Sequence, residues 1–165
     1  MRVALLALIG SAAISLASPA IGQDTSDNRE VCANEDGLPE TDAVTACTAL
    51  IASGALSSDD LAQTYALRGH AYLHLDDGAR AVADFSEAIR LDPQEKYYFI
   101  GRATAYADQK DSAHSLADYN EALRLDPNYA SGFYGRGLEE IAIGDKAKGD
   151  ADIARAKAID PNIDK

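Results

Sequence analysis

The sequence has no tryptophan, one methionine, two cysteines and three phenylalanines in 165 residues. Large rings are scarce and alanine is abundant, which favours closely packed helices over a sheet built on β-branched and aromatic side chains. Positive charge is scarce as well. Fifteen lysines and arginines face 27 aspartates and glutamates, for a net charge of −12 and a pI near 4.5. Such a surface repels phosphate backbones, so nucleic acid is excluded as a partner, and anionic lipid is disfavoured for the same reason. Signatures of catalysis are missing too. There is no phosphate-binding loop, no Gly-x-Ser-x-Gly elbow and no His-Glu-x-x-His pair. Acidic residues are too many and too scattered for a catalytic pair to stand out. The expectation is a protein that is not an enzyme and needs no cofactor.

Long apolar runs are limited to one, at the N-terminus. MRVALLALIGSAAISLASPAIGQ has a single arginine, an apolar run from Val3 to about Ala17, and small residues after it. This reads as a secretory signal peptide over residues 1–22, with cleavage after Ala20 or Gly22. The run is short against the roughly 20 residues of a membrane span, and an uncleaved anchor is the alternative. Export would place the protein in the periplasm or outside the cell. There the only two cysteines, Cys32 and Cys47, have one possible pairing, a disulfide worth about 3 kcal/mol on the chain-entropy estimate. A redox or metal role would call for a tighter spacing, Cys-x-x-Cys.

What the chain does contain is a beat. Pro93, Pro127 and Pro161 are 34 residues apart, each in a Leu-Asp-Pro or Ile-Asp-Pro triplet. A constant period of this size signals a solenoid of helical hairpins. In each unit an aromatic (Tyr65, Phe99, Phe133) is followed four residues on by a small residue (Gly69, Ala103, Gly137). Tyr72 and Tyr106 continue that face. After a polar turn comes another small residue (Ala81, Ser115, Gly149), then a large one (Phe85, Tyr119, Ile153), then Ala88, Ala122 and Ala156. Helices approach closely where small side chains face each other, and the large ones fill the remaining space. The Leu-Asp-Pro triplet is read as a hinge, with aspartate capping the next helix near Gln94 and Asn128 and proline in its first turn. In the third unit Glu140 replaces the tyrosine and Lys157 replaces an apolar residue, which suits a solenoid end.

These residues resemble the tetratricopeptide repeat, over about residues 62 to 161. The fold expected is an all-α solenoid of three units, at about 59–92, 93–126 and 127–160, within a helical domain of residues 41–165. A half unit precedes them: DAVTACTALIA at 42–52 looks like a second helix, with Cys47 in the place of Phe85 and Thr41 or Asp42 as cap. Its first helix reads as missing, and residues 23–40 read as an acidic, partly disordered segment that the disulfide would tie down as a covalent cap. With its signal peptide and cysteine pair, the chain resembles small exported repeat proteins of Gram-negative bacteria.

The resemblance implies a groove lined by the first helices: Gln63, Ala66, His70, Leu73, Tyr97, Ile100, Thr104, Tyr134 and Leu138, with Tyr97 and Tyr134 as anchors for a protein or peptide of unknown identity. Family members that grip C-terminal carboxylates use a lysine and an asparagine where this chain has Ala66 and His70, so that clamp is absent. Arg68, Arg102 and Arg136 recur sixteen residues before Asp84, Asp118 and Asp152, which predicts salt bridges between helices. Two rival roles remain. His70 and His74 share a helix face and, with Asp108 one unit on, are a candidate zinc or copper site. A structural subunit would associate through the helical ends.

Overall fold

A computed structural model describes residues 25–34 and 37–164; the stretch read as a signal peptide lies outside them. Among the described residues there are eight helices and no strand: α1 (Thr25–Ala33), α2 (Glu40–Ser53), α3 (Ser58–His74), α4 (Gly78–Leu91), α5 (Lys96–Asp108), α6 (Ser112–Leu125), α7 (Ala130–Ala142) and α8 (Lys146–Ile159). None is long and apolar enough to cross a membrane. Consecutive helices pair as hairpins, and each second helix packs on the first helix of the next hairpin. The first helices α1, α3, α5 and α7 also touch in succession, whereas the second helices of neighbouring hairpins do not meet. The stack therefore curves with its first helices on the inside.

The 34-residue beat is a beat of turns. Within three hairpins the chain swings through a left-handed residue at Asp76, Lys110 and Gly144. The N–H of Asp77, Asp111 and Asp145 then donates to the carbonyl of Tyr72, Tyr106 and Glu140, closing a Schellman turn. The same three aspartates cap the second helices, accepting from the backbone of Arg80, His114 and Lys148. The Leu-Asp-Pro triplet works differently from the cap expected of it. Asp92, Asp126 and Asp160 close the preceding helices, and their Oδ1 atoms accept from Gln94, Asn128 and Asn162 N–H at 3.0, 3.0 and 2.9 Å. This is a local aspartate turn, and the next helices start later, at Lys96 and Ala130. The third triplet forms the same turn, and among the described residues no helix follows it.

The core is a row of large side chains set against glycines. Phe85 is fully buried, and a Cβ at Gly69 would lie 3.1 Å from its ring, at Gly101 only 2.3 Å. Tyr119 meets Gly135 in the same way, at 2.6 Å. At the N-terminal end the sizes invert. Cys47, in α2, is fully buried where Phe85 stands in α4, and α3 offers it Leu67 where α5 offers Gly101.

The half unit is completed by α1, so the first helix expected to be missing is present. Val31 and Cys32 give this polar helix a narrow apolar edge, which packs with Leu50, Leu56 and Leu67. Cys32 and Cys47 are joined, with 2.12 Å between sulfurs and 4.9 Å between Cα atoms. Where Phe85 packs on Gly69, Cys47 is thus bonded to the facing helix. Arg29 adds an exposed contact to Asp60 at 3.3 Å. Helix α2 begins one residue after Pro39 with no side-chain cap; Thr41 and Asp42 fall in its first turn.

Candidate functional site

The inner face rests on a spine of arginines. Arg68, Arg102 and Arg136 each fork onto the aspartate of the second helix in their hairpin, with Nε and Nη2 at 2.6–3.1 Å from the two carboxylate oxygens of Asp84, Asp118 and Asp152. The third arm, Nη1, reaches the preceding hairpin: Thr48 at 2.9 Å, Ser86 at 3.0 Å and Asn120 at 2.6 Å. Each guanidinium also lies 5.5–5.9 Å from the aromatic ring three residues before it. One arginine therefore fixes three helices. Ser86 and Asn120 are 34 residues apart, but Thr48 lies 38 before Ser86, because α3, with 17 residues against 13 in α5, is four residues longer at its start.

On this spine the expected groove residues divide. Tyr97 and Leu138 are the exposed large apolar side chains among them, at 52% and 48%. Gln63 and His70 are exposed as well, while Leu73, Ile100, Thr104 and Tyr134 are half-buried. Ala66 is a correction. It is 7% exposed and belongs to the core around Phe85, because its short side chain ends beneath its neighbours. Tyr97 stands edge-on to Tyr129, with ring centres 5.5 Å apart. Lys96 Nζ sits 5.0 and 5.1 Å from the two ring centres and pairs with Asp126 at 2.9 Å, a bond that raises its pKa. Thr104 donates to the Ile100 carbonyl at 3.0 Å and hydrogen-bonds the Tyr119 side chain. Burial pushes the Tyr119 phenol up despite that bond.

The histidines are placed otherwise than the metal reading requires. His74 Nδ1 is 2.8 Å from Glu40 Oε1, on α2 of the preceding hairpin, so its carboxylate partner is Glu40 and not Asp108. His70 packs edge-on against Phe85 at 5.0 Å. Desolvation there, and then the neighbouring His74, lower its pKa. Among the described residues no three His, Cys, Asp or Glu side chains converge as metal ligands. His114, on α6, stacks on Tyr106 and pairs with Asp111.

Helix α1 extends the inner face beyond the nine residues expected to line it. Two clefts lie between α1 and its neighbours. One, about 130 Å³, is bordered by Arg29, Asp60, Gln63 and Leu67. The other, about 300 Å³, is bordered by Asn34, Glu40, Leu67, His70 and His74. The signal that could have found them is the cysteine spacing. Cys32 precedes Cys47 by 15 residues, nearly the 16 between Gly69 and Phe85, so Cys32 marks a first helix.

A family model of the tetratricopeptide repeat matches residues 62–95 and 97–129. No curated protein sequence matches the chain. Among solved structures, that of MamA is 14% identical with a TM-score of 0.72, covering 84% of this chain and 80% of that one. The first TPR of Spaghetti (RPAP3) bound to HSP90 peptide SRMEEVD is 23% identical with a TM-score of 0.61, covering 63% and 82%. The Arabidopsis OM64 TPR domain is 20% identical with a TM-score of 0.61, covering 64% and 87%. At these identities the likeness is one of fold. The chain thus carries tetratricopeptide repeats at residues 62–95 and 97–129, and its described residues form an α-solenoid of four helical hairpins.

Proposed function

We propose that this protein is a non-enzymatic scaffold of the bacterial cell envelope that holds a protein or peptide segment in the groove formed by its first helices. The observation that carries the reading is the exposure of large apolar side chains there, with Tyr97 and Leu138 standing on different helices of one curved face. A tyrosine offers wide contact area and a hydroxyl at small entropic cost, and such residues anchor interfaces. Tetratricopeptide repeats are in general non-catalytic scaffolds for protein–protein interaction. One solved neighbour holds a peptide, SRMEEVD, which supports peptide binding as a capacity of this fold. Location in the envelope rests on the N-terminal apolar stretch and the cysteine pair, both read from sequence.

The test is a double substitution, Tyr97→Ala with Leu138→Ala, assayed against the partner that purifies with the native protein. Binding should fall at least ten-fold while circular dichroism is unchanged. Unchanged binding would refute the groove reading.

A further inference from the structure

We propose that the cleft between α1, α2 and α3 is an anchor pocket for a basic side chain, arginine or lysine, projecting from the segment the groove holds; this inference rests on the groove reading. The cleft is about 300 Å³ and opens on the inner face at the N-terminal end of the stack. One wall is apolar, with Ala43, Leu67 and Ala71, and suits the methylene stem of a long cationic residue.

The polar end is rich in acceptors. Glu40 gives one oxygen to His74 at 2.8 Å, and a carboxylate has about four acceptor positions, so it can take further donors. Asn34 Oδ1 is buried without a hydrogen-bond partner, an acceptor in want of a donor. His70 packs its ring edge-on against Phe85, and desolvation there and then the neighbouring His74 lower its pKa, which favours the neutral imidazole with its acceptor nitrogen. A guanidinium or ammonium carries only donors and complements a cleft lined by such acceptors. The net charge of −12 draws cations toward the molecule. A partner carboxylate would meet Glu40 and an unpaired amide oxygen, so the pocket selects for the sign opposite to that of an acidic peptide.

The experiment is an amide NMR titration of the oxidised, folded protein with N-acetyl-arginine methylamide and with its citrulline counterpart, which keeps the shape and lacks the charge. The arginine compound should shift the amides of His70, Ala71 and His74 and saturate. The citrulline compound should bind about ten-fold more weakly, the worth of a charge-assisted hydrogen bond. Glu40→Gln should weaken the arginine compound to a similar degree. Equal affinity for the two compounds, or shifts clustered away from α1–α3, would overturn the proposal, and the citrulline arm needs no variant to fold. If the arginine compound fails while Tyr97→Ala still abolishes partner binding, the pocket is wrong and the groove stands. If it binds the cleft while Tyr97→Ala has no effect on the partner, the groove reading fails and the cleft remains a site for a basic side chain.

Discussion

Arg102 shows how much one residue can fix. It grips both oxygens of Asp118 and reaches Ser86 of the neighbouring hairpin, in a pair whose side chains are mostly buried. Removing the carboxylate leaves the guanidinium without its counter-charge, so Asp118→Ala should cost about 3 kcal/mol in urea denaturation. Ser115 is the opposite case. It is fully buried with its hydroxyl unpaired, at a position where the other units have Ala81 and Gly149. Ser115→Ala should stabilise the fold by about 1 kcal/mol, because a stranded polar group is removed and nothing is lost. Glu140 stands where the first two units have tyrosine. Burial first, and then Asp152, raise its pKa, and one of its oxygens is unpaired. A raised folded pKa means the folded state binds the proton more tightly than the unfolded state. Stability therefore falls as pH rises from the ordinary glutamate value through the folded one. Glu140→Gln should flatten that part of the profile and raise the melting temperature at pH 7; an unchanged profile would contradict the assignment.

At the scale of helices and turns, size complementarity between neighbours sets the register. Phe85 faces Gly101, Tyr119 faces Gly135, and Cys47 faces Leu67. Gly101→Ala would bring a Cβ to 2.3 Å from the Phe85 ring, so a loss of about 2–3 kcal/mol is expected. Adding Phe85→Leu should recover part of it, and a double-mutant cycle reads the coupling directly. This level was the most legible in the sequence, because period and residue size are printed in it. The equivalence of Cys47 with Phe85 could be read despite the four added residues. Three things could not. Helix α1 has too few apolar residues to announce itself, and it is held by a covalent bond and by tertiary contacts. An aspartate before proline can cap a helix or close a turn, and only the backbone path decides. Ala66 has groove register but too short a side chain to reach the surface, so burial overrides position.

For the whole molecule, the disulfide decides whether the inner face has three first helices or four. With it, α1 borders both clefts; the bridge closes a loop worth about 3 kcal/mol. Reduction, or Cys32→Ala with Cys47→Ala, should lower stability by about that amount. Hydrogen exchange should show protection lost first in α1 and α2 while α5 and α6 keep theirs. The proposed function turns on the inner face being the binding face. Photoreactive residues placed one at a time in living cells test it, at Tyr97, Tyr134 and Leu138 on first helices and at the exposed Ala83, Ala117 and Ala151 on second helices. A binding inner face gives one common crosslinked partner from the first set and none from the second. Capture from Ala83, Ala117 and Ala151 with silence at Tyr97 and Leu138 would contradict it.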